Sequence, residues 1–138
     1  MRPTRLIPVA ITLAALALSS GPLSAKTPLR DNTAINDQLL VVGLANEIRK
    51  TCGSISGRLV KGVSTLRAIH RQALSEGYSK DEIEAYVDNR DEKNRMKARG
   101  RAWLAARGAS PDNPDTMCRV GREEIAKASA IGSLLYEN

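Results

Sequence analysis

Apolar positions recur every three or four residues along most of this chain, the period of a helix buried on one side. Leu40, Val41, Leu44, Ile48 and Cys52 form the first such stripe. Thr33 or Asn36 can cap its start, and Gly53 can close it in a left-handed turn. A second helix is expected from Ser54 or Ser56 to Glu76, with Leu59, Val63, Leu66, Ile69 and Ala73 on one face and Gly77 as its stop. Ser79 and Glu82 stand at capping-box spacing, so a third helix begins there and carries Ile83, Tyr86 and Val87 inward. Around Asp88 to Asp91 the chain turns or continues into a fourth helix, which bears Met96, Trp103 and Leu104 and stops at Gly108. "ASPDNPD" is a loop by composition. Asp115 or Thr116 then caps a last helix whose seam runs through Cys118, Gly121, Ile125, Ala128, Gly132 and Leu135. No stretch alternates as a strand would. The pattern predicts an all-α, compact bundle of four to five helices. Its expected core includes Leu44, Ile48, Leu59, Val63, Leu66, Ile83, Val87, Trp103, Ile125, Ile131 and Leu135.

The first residues follow a different rule. Arg2 and Arg5 precede an uncharged apolar run of 13 residues, Leu6 to Leu18, and small residues lead up to Lys26. That is the form of a secretory signal peptide, expected to cover residues 1–25 and to be cut after Ala25. A spanning helix needs roughly 20 apolar residues, so no transmembrane anchor is expected after cleavage. Residues 26–138 then form a single helical domain in a periplasmic or secreted setting. Loss of Arg2 and Arg5 lowers the formal charge from +6 by two, to +4. This mild basic excess suits an anionic envelope neighbour. It falls short of what nucleic-acid binding asks for, and with no Phe, one Trp and three Tyr there is little to stack on bases.

Export gives the two cysteines a context. An even count in an oxidising compartment points to a bridge between Cys52 and Cys118. It would close a loop of roughly 67 residues, worth about 4 kcal/mol by chain entropy. A reactive thiol at Cys118, beside Arg119, is the main rival. A metal site would have to combine Cys52, Cys118 and the lone His70, too few ligands.

Catalytic chemistry finds little support. His70 could serve as a base, but no positioned partner is visible. "GSISG" has Ile55 where a nucleophile elbow has Ser. Glu82 with Glu84, or Glu123 with Glu124, could be paired carboxylates, yet acids near helix starts are favoured by the dipole alone. No catalytic residue, cofactor or metal site is assigned. The densest basic region is "RDEKNRMKARGRAWLAARG", and Arg95, Arg99 and Arg101 are its candidate interaction surface.

Three stretches, "EIRKTC", "GYSKDEIEAYVDNRDEKNRMKARGRAWLAARGASPDNP" and "CRVGREEIAKASAIGSLL", resemble a family of small exported alphaproteobacterial proteins known only as a domain of unknown function. The resemblance runs from about Leu29 to Leu135 and includes both cysteines. It implies a helical one-domain protein of the bacterial envelope and brings no catalytic residue with it. The expected function is a non-enzymatic periplasmic or secreted binding or interaction module. Its partner would be an anionic envelope component or another periplasmic protein. A small envelope holdase or stress protein is the alternative, and a cell-wall-active enzyme a weaker third.

Overall fold

The computed structural model describes residues 26–138; the expected signal peptide, residues 1–25, lies outside the described residues. Five helices carry the fold: α1 (Thr33–Thr51), α2 (Leu59–Ser75), α3 (Lys80–Asp88), α4 (Arg90–Ala105) and α5 (Pro114–Ala126). Single 3-10 turns stand at Leu29–Asp31 and Gly132–Leu134. Two three-residue strands, β1 (Ile55–Gly57) and β2 (Leu135–Glu137), pair antiparallel with Ser56 opposite Tyr136. The expectation of no strand is therefore corrected. Three residues are too few for an alternating pattern to be read, and what makes them strands is the pairing of distant segments.

Helix α1 is the axis. It touches α2, α4, α5 and β1, and its inward residues enter both core clusters. The larger cluster joins Leu44, Ile48 and Cys52 of α1 to Ile55, Leu104, Met117, Val120, Ile131 and Leu135. The smaller gathers Leu29, Ile35, Ile69, Ala73, Tyr78 and Ile83 around the other end of α1. Each large side chain so buried contributes about 1.5–3 kcal/mol. Leu44, Ile48, Ile83, Ile131 and Leu135 are buried as expected, and Trp103 and Ile125 pack half-buried against the larger cluster.

Four expected core residues are exposed instead: Leu59, Val63, Leu66 and Val87. On α2 the buried residues are Ile69 and Ala73. Leu59, Val63, Leu66 and Leu74 lie on a stripe turned roughly 80° from that line at 100° per residue. The two stripes merge in sequence because both are apolar, and only the position of α1 decides which one is covered.

The helix ends show what residue types do. Helices α2 and α4 finish in the same pair of backbone bonds. Gly77 N–H donates to Leu74 and Tyr78 N–H to Ala73; Gly108 N–H donates to Ala105 and Ala109 N–H to Leu104. Both glycines have positive φ, 92° and 65°, the left-handed conformation this cap requires. Helix α5 closes the same way, with Ala128 N–H donating to Ile125 and Ser129 N–H to Glu124. Ala128 adopts φ 49° without the freedom of glycine. The last helix therefore stops at Ala126 and does not continue to Leu135 as the seam implied. Gly53 is a second correction: Cys52 is the cap, with φ −98° and ψ 109°, so the chain leaves α1 extended towards β1. Residues 54–57 consequently belong to the strand and its approach, and α2 starts at Leu59.

At the starts, Asn32 caps α1 by accepting from Ile35 N–H, in place of Thr33 or Asn36. Asn113 precedes α5 with Pro114 in its first turn, in place of a cap at Asp115 or Thr116. The Ser79–Glu82 capping box is present as expected. Asn89 both ends α3 and caps α4, so the chain turns there.

Candidate functional site

Cys52 and Cys118 form a disulfide that ties the end of α1 to α5, with Cα atoms 5.1 Å apart. Cys52 is fully buried, and Ser54 Oγ lies 3.3 Å from its sulfur. No free thiol remains. "EIRKTCG" thus carries one end of a structural staple, three residues before β1 begins at Ile55.

The three candidate arginines do not form one surface. Arg95 reaches inward: its Nε donates to Glu92 at 2.7 Å, and its Nη2 donates to Tyr86 Oη at 2.9 Å and to the Arg30 carbonyl at 3.1 Å. The bonded Glu92 carboxylate raises the affinity of Arg95 for its proton still further. Tyr86 in turn donates to the buried Asn36, whose amide donates to the carbonyls of Leu29 and Asn32 at 2.7 Å each. Arg95 is thus the outer member of a network joining α4, α3, α1 and the first turn. Arg99 pairs with Asp37 at 2.7 Å. Arg101 lies on a different face of α4, with Lys93 and Lys97. A basic run in sequence distributes its charges around a helix, and neighbours then take some of them.

The other residues weighed for chemistry are accounted for locally. His70 is exposed on α2. Glu82 belongs to the capping box and to an ion pair with Lys26. Glu123 pairs with Arg119, while Glu124 is buried with Lys127 3.6 Å away. Among the described residues no cluster of His, Cys, Asp and Glu could hold a metal ion.

Two concave surfaces flank α1. One, of about 340 Å³, lies between α1 and α2. Its walls are Val42, Ala45, Leu59, Val63, Leu66 and Leu134, with Arg49 and Arg58 also lining it. Beyond its lip Val60 is 87% exposed, and Leu59 itself is 66% exposed. The second, of about 500 Å³, lies between α1 and α4. Leu40, Leu44, Met96 and Leu104 line it together with Lys50, Lys93, Lys97 and Arg101. The spacing of Lys93, Lys97 and Arg101, four residues each, was a legible sign of one helix face; Lys50 has no such sign, because it arrives from α1.

Residues 27–136 match a family of unknown function, DUF5333. The chain belongs to this family. No curated protein and no solved structure matches it. Membership in DUF5333 agrees with the resemblance read from the residues and assigns no activity. Among the described residues of this DUF5333 chain, no helix is long and apolar enough to cross a membrane.

Proposed function

We propose that this protein is a non-enzymatic binding module, exported to the periplasm or the medium, that docks a partner protein on the open face of α2. The observation that carries the reading is the exposure of Leu59, Val60, Val63 and Leu66 in the first turns of that helix. A contiguous apolar face left in water marks an interaction site more often than chance. From Arg58 to Ser75 the chain has Arg58, Lys61, Arg67 and Arg71 and no acid. Two copies packed on this face would bring like charges together, so the charge selects an acidic partner. An amphipathic segment with apolar residues at three- and four-residue spacing and acids along its flanks fits it. Export is supported by the disulfide and by the form of residues 1–25.

The test is titration of the mature chain with synthetic amphipathic peptides bearing a leucine face. Glutamate-flanked peptide should bind saturably, and lysine-flanked peptide should not. Val60→Asp with Val63→Asp should abolish the binding while helicity by circular dichroism is retained. Equal binding of both peptides, or binding indifferent to the two aspartates, would remove the reading. The same exposed face also supports the holdase alternative. Suppression of aggregation of several unrelated unfolded clients, lost in the aspartate variant, would favour that reading over a dedicated partner. Intact mass after alkylation, with and without reduction, tests export: a chain starting at Lys26 that takes label only after reduction is expected.

A further inference from the structure

The groove between α1 and α4 is separate from the α2 face and has a different character. Its floor is apolar, made by Leu44 and Leu104, both buried, with Leu40 and Met96 half-covered beside them. Around this floor stand Lys50, Lys93, Lys97 and Arg101, against a single acid, Glu47. Lys93 has only a distant carboxylate, Asp88 at 3.9 Å. Among the described residues no carboxylate lies in ion-pair range of Lys50, Lys97 or Arg101. The contrast with the rest of α4 is direct, since Arg95 and Arg99 on its other side are both paired.

We infer that this groove binds a single-chain anionic lipid, its acyl chain on the Leu40–Leu44–Met96–Leu104 floor and its head group among Lys50, Lys97 and Arg101. Three observations carry the assignment together. The excess of positive charge around the groove selects an anion. The apolar floor selects a ligand with a hydrocarbon part; a bare phosphate would leave that floor in water. The volume, about 500 Å³, is of the order that holds one small ligand, which favours one acyl chain over two. Lys and Arg suit such a rim because their methylene stems cover apolar surface while their heads stay in water. Gly100 completes the shape. A Cβ there would stand 3.8 Å from Leu44 Cδ2 and 3.9 Å from Leu40 Cδ1, so glycine keeps the floor open where any larger residue would begin to fill it.

The experiment is calorimetric titration of the mature, oxidised protein with dodecyl phosphate below its micelle concentration. Dodecyl maltoside serves as the same chain with a neutral head, and butyl phosphate as the head with almost no chain. Dodecyl phosphate should bind one-to-one, and the two controls at least about tenfold more weakly, the loss expected from one charge-assisted contact or two buried methylenes. Lys97→Glu with Arg101→Glu, on exposed positions, should weaken dodecyl phosphate by at least that factor. Gly100→Leu should abolish binding by filling the floor while all four cations remain. Equal affinity for dodecyl phosphate and dodecyl maltoside would overturn the proposal, as would equal affinity for dodecyl and butyl phosphate. Binding confined to phosphatidylglycerol vesicles, with no saturation by monomeric dodecyl phosphate, would also overturn it and assign the cations to a membrane surface. A folded Gly100→Leu protein that binds normally would do the same for the floor.

Discussion

A methyl group on Gly121 of α5 would stand 2.4 Å from Ile55 Cδ1 of β1, and 2.7 Å from Ile48 Cγ2 of α1. Gly121 is thus the point at which helix, axis and strand converge, one turn past the disulfide. Ile48 is fully buried and Ile55 nearly so, so neither can step aside freely. Gly121→Ala should destabilise the protein by about 1–3 kcal/mol, the usual cost of overpacking a core. Urea unfolding of both proteins with the bridge intact measures it; an unchanged midpoint would show that the isoleucines yield.

The cap at Ala128 predicts a change of the opposite sign. A non-glycine residue in the left-handed region carries a Cβ penalty of roughly 1–2 kcal/mol. Glycine removes it but adds unfolded-state entropy worth about 0.4–1 kcal/mol. Ala128→Gly should therefore stabilise by about 0.5–1 kcal/mol, seen as a higher thermal midpoint. A lower midpoint would mean the cap does not limit α5.

Arg95 and Arg101 should behave as opposites despite their shared chemistry. Removing Arg95 takes one hydrogen bond each from Tyr86, Glu92 and the Arg30 carbonyl, although Glu92 keeps Arg30 at 3.3 Å and Tyr86 keeps Asn36. Arg95→Ala should cost about 1.5–3 kcal/mol, the range for hydrogen bonds to a charged group. Arg101→Ala should change stability by less than about 0.5 kcal/mol, as surface substitutions do. Matched denaturation curves decide it. A stable Arg95→Ala protein would return that residue to the pool of binding candidates.

Lys26 sets the titration of Glu82. Its ammonium bonds both carboxylate oxygens, at 2.8 and 2.7 Å, and the Ser79 N–H donates to the same carboxylate at 2.6 Å. Together, with Lys26 the larger influence, they hold the Glu82 carboxyl below its usual value. A depressed folded-state value means stability that is present above the unfolded carboxylate value, about 4.3, and is lost as pH falls through the folded one. Carboxyl-carbon NMR should place the Glu82 midpoint below that of the same residue in an unfolded peptide. Lys26→Ala should move it upward; no movement would assign the shift to the cap alone.

What the residues determined by themselves is local. Helical period, the Ser79–Glu82 box and the glycine stops at 77 and 108 each act within a few residues, so each could be read directly. The bridge was legible because only two cysteines exist, so that one pairing alone is available to them. Tertiary structure decided everything that depends on a distant neighbour. It turned Leu59, Val63 and Leu66 outward because α1 covers the adjacent stripe of α2. It made strands of Ile55–Gly57 and Leu135–Glu137 by pairing them, and it stopped α5 at an alanine that carries no sequence mark of a cap. It also divided one basic run in two. Asp37 and Glu92 take Arg99 and Arg95, while Arg101 is left beside Lys50 over an apolar floor, because a helix turns by about 100° per residue and its partners lie on one side only.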